Sequence, residues 1–320
     1  MQPIGYNYVI IYSINFFKQV MEYKIGPQYS KDRITDKTGF LEKARLHQSK
    51  YRAEVLHVDF DTYGNYLTTE DANIGLNFYD DFDIFHEVKK RYKNYSKPLY
   101  ANLLRSEHIG FNLFIPFKHD FEFAKIVFNH FMDNTIKSID SIQIEYAPEN
   151  AEKYLNDKTS FDTYIEYTNL KDERGIIGIE VKYTEHEYTL KSGSKQEKDI
   201  LNKESKYYQV TDQSNIYKDG VIDTLITDLF RQVWRNQLLG ESIVLESNND
   251  FKHFSSLTIF PEGNTHFVEV SEKYKEMLIN NERKFIALTY EDFLEVCEKN
   301  APNERYSKWI NYLTERYIVK

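Results

Sequence analysis

A mixed α/β fold around one sheet is predicted by three features of the sequence. Before residue 135, apolar residues recur at helical spacing. Between 141 and 185, three segments alternate with period two and are rich in β-branched residues. Beyond 220, helical and strand-like stretches follow one another. The first apolar run, YNYVIIYSINFF at 6–17, has no basic stretch before it and no small-residue cleavage site after it. It is also too short to span a bilayer, so it reads as a strand or packed arm, and residues 1–20 as an extension outside the core.

Helices are expected over 40–57, 82–95, 97–114 and 121–135, with Pro98 at a helix start. Strands follow in SIQIEYAP (141–148), FDTYIEYT (161–168) and GIIGIEVKYTE (175–185). Residues 188–215 are polar and charged and read as a loop or short helices. A long helix is expected over 220–240, a strand over 255–262, another around KFIALT, and helices at 290–299 and 304–318. No repeat, low-complexity tract or Pro/Gly/Ser-rich linker divides the 320 residues.

Composition narrows the function classes. The one cysteine, Cys297, permits neither an internal disulfide nor a Cys-based zinc site, and the histidines lack metal-binding spacing. A reducing, cytoplasmic setting is the default expectation. The net charge of −9 argues against a coat-like nucleic-acid binder, whose affinity rests on overall positive charge, but allows a local basic groove on an acidic body. The aromatic content, 16%, suits core packing first and base stacking second.

The chemistry concentrates in the second and third strands. On the third, Ile179 and Val181 point to one face, and Glu180 and Lys182 to the other. Gly178 shares the polar face and leaves room for a ligand or a backbone. If the two strands are neighbours, Asp162 joins the pair. Two carboxylates at one spot repel unless a cation separates them, and Mg²⁺ or Mn²⁺ takes oxygen ligands. Such an ion polarises a phosphoryl oxygen, while Lys182 orients a water or stabilises charge on the phosphate. Asp162 and Glu180 are thus candidate metal ligands of a phosphodiester-hydrolysing centre. The bland alternative is a solvent-facing strand carrying an ion pair worth ~0–1 kcal/mol.

Three helices supply further candidates. On 220–240, Ile222, Ile226, Leu229, Phe230 and Val233 form an apolar stripe that Gln237 continues, with Asn236 at its edge and Arg231 and Arg235 opposite. Gln237 is either a polar group of the site or a satisfied core amide. On 97–114, Glu107 lies beside the inner stripe, as a site acid or as the partner of a nearby basic residue. On the first helix, Arg45, Gln48 and Arg52 interrupt an apolar stripe, which suits either phosphate-backbone contact or buried pairing. The mixed-charge run at 191–206 reads as a solvated loop.

The segment TSFDTYIEYTNLKDERGIIGIEVKYTE, residues 159–185, resembles the active-site hairpin of the PD-(D/E)XK nuclease superfamily. HQSKYR (47–52), NLLRSEHIGFNLF (102–114), LFRQVWRNQLL (229–239) and WINYLTERY (309–317) extend that similarity, in order, to a bacterial family described as restriction endonucleases. Where that family is expected to carry Gln, this chain has Glu107, a candidate additional acid. The resemblance implies a restriction-endonuclease-like core cutting nucleic acid, DNA foremost, in restriction or defence. It implies a polar helix residue beside the metal, for which Gln237 is the candidate. Residues 1–40 are then an arm and 41–320 one domain: a helical part at 41–135, a catalytic core at 136–265 and a C-terminal addition at 266–320. A homodimer is an option many nucleases use, although no heptad or exposed stripe points to one. A nuclease-fold module that binds nucleic acid or protein without cutting is the competing reading.

Overall fold

The computed structural model of the chain describes residues 24–31, 38–187, 189–280 and 284–319. The run at 6–17 lies outside them, as does most of the expected N-terminal arm. Among the described residues, thirteen α-helices surround a five-stranded mixed sheet of order β1-β2-β3-β4-β5. The strands are β1 (Ile136–Tyr146), β2 (Phe161–Asn169), β3 (Arg174–Val181), β4 (Phe251–Phe260) and β5 (Phe285–Thr289). β1, β2 and β3 pair antiparallel, while β3, β4 and β5 run parallel. The mixed α/β expectation holds. No helix among the described residues is long and apolar enough to cross a membrane.

Both faces of the sheet are covered, so β3 is buried along nearly its whole length. One core gathers Ile165, Ile177, Ile179, Val181, Leu257 and Ile259 beneath the N-terminal helices and the two C-terminal ones. The other gathers Tyr164, Ile176, Phe254 and Phe285 beneath the helices of 206–276. Much of the aromatic excess is spent here: the Phe117 ring meets those of Phe114, Phe123, Phe128, Phe293 and Trp309.

The N-terminal helices are α1 (Phe40–Lys50), which widens into a π-helical turn at Tyr51–Val55, α2 (Thr69–Asn73), α3 (Ile84–Arg91), α4 (Lys97–Ala101), α5 (Ser106–Phe114) and α6 (Phe121–Phe131). The single helix expected over 97–114 is broken. Asn102 turns its side-chain oxygen to the Leu104 N–H and the Asn65 amide, and Leu103 N–H reaches the Asn65 carbonyl. Side-chain capture of backbone groups competes with helix at that point.

After β3 come α7 (Lys195–Leu201), α8 (Lys206–Ser214), α9 (Ile222–Leu225) and α10 (Arg231–Glu246). Beyond β4 lie α11 (Thr265–Glu276), then α12 (Tyr290–Lys299) and α13 (Glu304–Tyr317). The helix expected over 220–240 is also broken, because the Arg231 guanidinium takes the Ile226 carbonyl that helix continuation would use. The main helix therefore restarts at Arg231 with a new phase and runs past Gly240. That glycine is required by close approach: a Cβ there would stand 2.0 Å from the Phe254 ring.

β1 begins five residues earlier than expected. Register shifts at Ile136/Ser138 and Ile139/Ser141 make every third residue buried, which hides the strand from a period-two reading. β3 ends at Val181 instead of running to 185, although the Lys182 N–H still donates to the Ile259 carbonyl at 2.8 Å.

The space beside Gly178 is filled by the chain itself. A Cβ there would lie 2.3 Å from the Phe161 ring, so the room expected for a ligand is occupied by core. Gly178→Ala is therefore expected to lower stability by about 1–3 kcal/mol through overpacking, read as a lower urea midpoint at unchanged m-value.

Candidate active site

The β2–β3 ladder runs from Thr168/Arg174 to Thr163/Ile179 and stops. At the next step the Asp162 carboxylate replaces a strand carbonyl: its Oδ2 accepts the Val181 N–H at 2.7 Å. α5 lies close on this side, with Gly110 facing the Asp162 Cβ. Glu180 points instead toward α10. Its Oε1 accepts from Lys182 Nζ at 2.6 Å and from Gln232 Nε2 at 2.5 Å, and its Oε2 accepts from Asn236 Nδ2 at 2.6 Å. Sheet end, α5 and α10 together enclose a cleft of about 410 Å³ lined by Asp162, Glu180 and Lys182. The three residues of the hairpin motif thus share one cavity.

Glu107, Glu145, Glu185 and Glu187 line it too. Glu145, at the end of β1, has a left-handed backbone (φ 55°), a conformation that costs a non-glycine residue roughly 1–2 kcal/mol. It hydrogen-bonds Tyr92. Glu185 accepts the Ser106 N–H at 3.2 Å and the Tyr183 N–H at 2.7 Å, so it caps α5 and closes the turn after β3. Both acids line the same cleft.

Charge is crowded here. Burial, then the neighbouring Glu180 and Glu145, push the Asp162 carboxyl well above the usual carboxylate range. Burial, reinforced by Glu180, lifts Glu145 to about 7 against the hydrogen bond from Tyr92. Burial alone would lower Lys182, but Glu180, Glu185 and Asp162 outweigh it and hold the ammonium charged. Lys182 and the Ser106 N–H in turn keep Glu185 ionised despite its burial.

Among the described residues, no three His, Cys, Asp or Glu side chains already converge as a ligand set. The donor chemistry nevertheless fits an oxygen-seeking divalent cation. Asp162 Oδ1 has no hydrogen-bond partner among the described residues, and burial with Glu180 and Glu145 nearby opposes ionisation of its carboxyl, an opposition that a bound cation would relieve. Asp162 and Glu180 are the residues that would hold it.

The remaining sequence candidates lie in different places. Glu107 lines the cleft but pairs with Arg105, its oxygens accepting from Nη2 at 2.5 Å and Nε at 3.1 Å. Gln237 does not reach the cleft: fully buried, it donates to Glu241 Oε1 at 3.0 Å. The restart of α10 at Arg231 turns Gln232 and Asn236, one helical turn apart, toward Glu180 instead. Arg45, Gln48 and Arg52 are all buried. Arg45 donates to Asn65 Oδ1 at 2.5 Å, and Gln48 to the Tyr183 hydroxyl and the Arg316 carbonyl. Arg52 clamps the carbonyls of Gly64, Val58, Lys24 and Ile25. These groups are taken up by backbone and side-chain oxygens of the protein itself, away from the phosphate contact expected of them. Sequence reasoning missed Glu145, Glu185, Gln232 and Asn236. The visible signal was an acid inside the apolar run IQIEY and a second acid three residues after Lys182.

A mixed sheet whose antiparallel hairpin carries Asp, Glu and Lys into one cleft defines a class of phosphodiesterase-like folds. A family model described as PD-(D/E)XK nuclease superfamily matches residues 35–319. The chain belongs to that superfamily. No curated protein and no solved structure matches it.

Two expectations follow. Arg52→Ala should cost about 2–4 kcal/mol, because several carbonyls lose a charged donor, while nucleic-acid affinity measured on folded protein stays unchanged; a loss of affinity without loss of stability would restore the phosphate contact. For Glu145, a folded pKa of about 7 against an ordinary 4.5 means the folded state binds its proton more tightly. Stability from this group is complete below about 4.5 and lost as pH rises toward 7. In divalent-free buffer, Glu145→Gln should therefore be more stable than wild type at pH 7.5, by on the order of 1–3 kcal/mol, with no gain at pH 4.5.

Proposed function

We propose that the chain is a divalent-metal-dependent nuclease that hydrolyses phosphodiester bonds, of DNA in the first place, in restriction or defence. The observation that carries this reading is the convergence of Asp162, Glu180 and Lys182 in one open cleft, in a chain of the PD-(D/E)XK nuclease superfamily. Asp162 and Glu180 hold the cation. When bound, a divalent ion supplies Lewis-acid polarisation of a phosphoryl oxygen and neutralises developing charge.

Lys182 stays protonated between its acids and donates hydrogen bonds to the phosphate or to the attacking water, where negative charge grows. Gln232 and Asn236 fix the rotation of the Glu180 carboxylate. The Val181 N–H does the same for Asp162, so neither acid has to reorganise during the reaction. Glu145 adds a third carboxylate at the cleft wall.

The test is incubation of wild type and Lys182→Ala with duplex DNA, single-stranded DNA and RNA in Mg²⁺ or Mn²⁺. Wild type is expected to cut DNA, and the variant to cut about 10²–10³-fold more slowly. Undiminished cleavage by Lys182→Ala, or none by folded wild type, would contradict the reading.

A further inference from the structure

We infer that Arg105 and Lys158 bind the phosphates that flank the reacting one, and that Glu107 occupies the Arg105 guanidinium as a stand-in for a substrate phosphodiester. The inference rests on the nuclease reading and supplies what that reading lacks, a cationic contact for the polymer beyond the reacting phosphate, once Arg45 and Arg52 are buried. The cleft wall carries four basic side chains of Lys and Arg. Two are spent. Lys182 is buried against Glu180, and Arg235 is buried against Asp157 at 2.7 Å. The other two, Arg105 and Lys158, are exposed.

Arg105 is engaged in a manner suited to exchange. Glu107 meets it through both carboxylate oxygens, with Nη2 at 2.5 Å and Nε at 3.1 Å, the planar two-point geometry by which a guanidinium also grips a phosphate. The pair is solvent-exposed, 45% and 38% for the two side chains, so water can take over the hydrogen bonds of either partner as the pair opens. A phosphodiester can therefore take the guanidinium while Glu107 turns to water.

Position agrees with that role. The Ser106 N–H is held by Glu185 at the start of α5, and Gly110, four residues on, faces Asp162. Four residues of helix separate the two contacts by about 6 Å along the axis, and Arg105, at the N-cap just beyond, stands beside a phosphate flanking the one at the acids. Lys158, in the loop entering β2, lines the same cleft and is exposed. On a body of net charge −9, two such contacts weigh heavily in the encounter with a polyanion.

The experiment measures binding of fluorescein-labelled duplex and single-stranded DNA of mixed sequence by anisotropy at several salt concentrations. Binding is read in the Lys182→Ala background with Mg²⁺, which keeps the probe intact, and cleavage in protein that retains Lys182. Arg105→Gln and Lys158→Gln are each expected to weaken binding about tenfold, to lower the slope of log K against log salt by about 0.9, and to raise KM with kcat unchanged. Glu107→Gln should act the opposite way, tightening binding about two- to fivefold. Both sites are exposed, so thermal midpoints should stay near wild type.

If wild type binds and cuts DNA while Arg105→Gln and Lys158→Gln match it in affinity and slope, the assignment is overturned and the nuclease reading stands. Weaker DNA binding by Glu107→Gln, together with weaker Mn²⁺ binding, overturns it too, because Glu107 would then be a cation ligand. Folded wild type that neither binds nor cuts overturns the nuclease reading, and the assignment with it.

Discussion

Like charge held in a small volume governs this structure. Asp162, Glu180, Glu145 and Glu185 line one cleft, and a single buried ammonium, Lys182, lies among them. Carboxylates crowded in this way repel unless each finds donors or a cation. Most of the local architecture reads as the answer. Gln232 and Asn236 hold Glu180, the Val181 N–H holds Asp162, Tyr92 holds Glu145, and the start of α5 holds Glu185. Asp162 can reach the Val181 N–H only because the β2–β3 ladder stops one step earlier.

The constraint extends well beyond the cleft, because the turn after β3 must keep Lys182 and Glu185 in place. Tyr290 donates to the Lys182 carbonyl at 2.7 Å, and Asn264 donates to the Tyr183 and Glu185 carbonyls. Gln48 reaches the Tyr183 hydroxyl and the Arg316 carbonyl, tying α1 and α13 to the same turn. Arg316 is buried among Tyr51, Tyr312 and Tyr317, whose ring faces take the charge that a carboxylate would usually balance. The N-terminal and C-terminal helices therefore act as scaffolding for residues 182–185. Their polar residues on apolar faces serve packing, which explains why Arg45, Gln48 and Arg52 meet backbone and side-chain oxygens of the protein itself and not the solvent.

The hairpin was legible in the sequence because successive side chains of a strand fall on opposite faces of the sheet. Ile179 and Val181 against Glu180 and Lys182 sorts correctly with no tertiary information. What escaped was set by side chains acting on backbone. Two register shifts turn β1 into a pattern of every third residue. Asn102 breaks one helix by capturing a neighbouring N–H, and Arg231 breaks another by taking a carbonyl. The second break changes the helical phase, and so a stripe drawn through Ile222, Ile226 and Val233 led to Gln237 when Gln232 and Asn236 face Glu180. Glu145 and Glu185 were hidden for a different reason. Their place in the cleft depends on a left-handed residue and on a turn, neither of which has a periodic signature.

The central claim is that this crowd of acids is arranged for a divalent cation held by Asp162 and Glu180. Calorimetric titration of Mn²⁺ into wild type and Asp162→Asn near pH 7, in two buffers of different ionisation enthalpy, tests it most directly. The account predicts saturable binding by wild type with proton release, since acids with raised pKa values ionise as the ion enters, and at least tenfold weaker binding by the variant. Equal affinity in the two proteins, or no saturable heat in wild type, would contradict it.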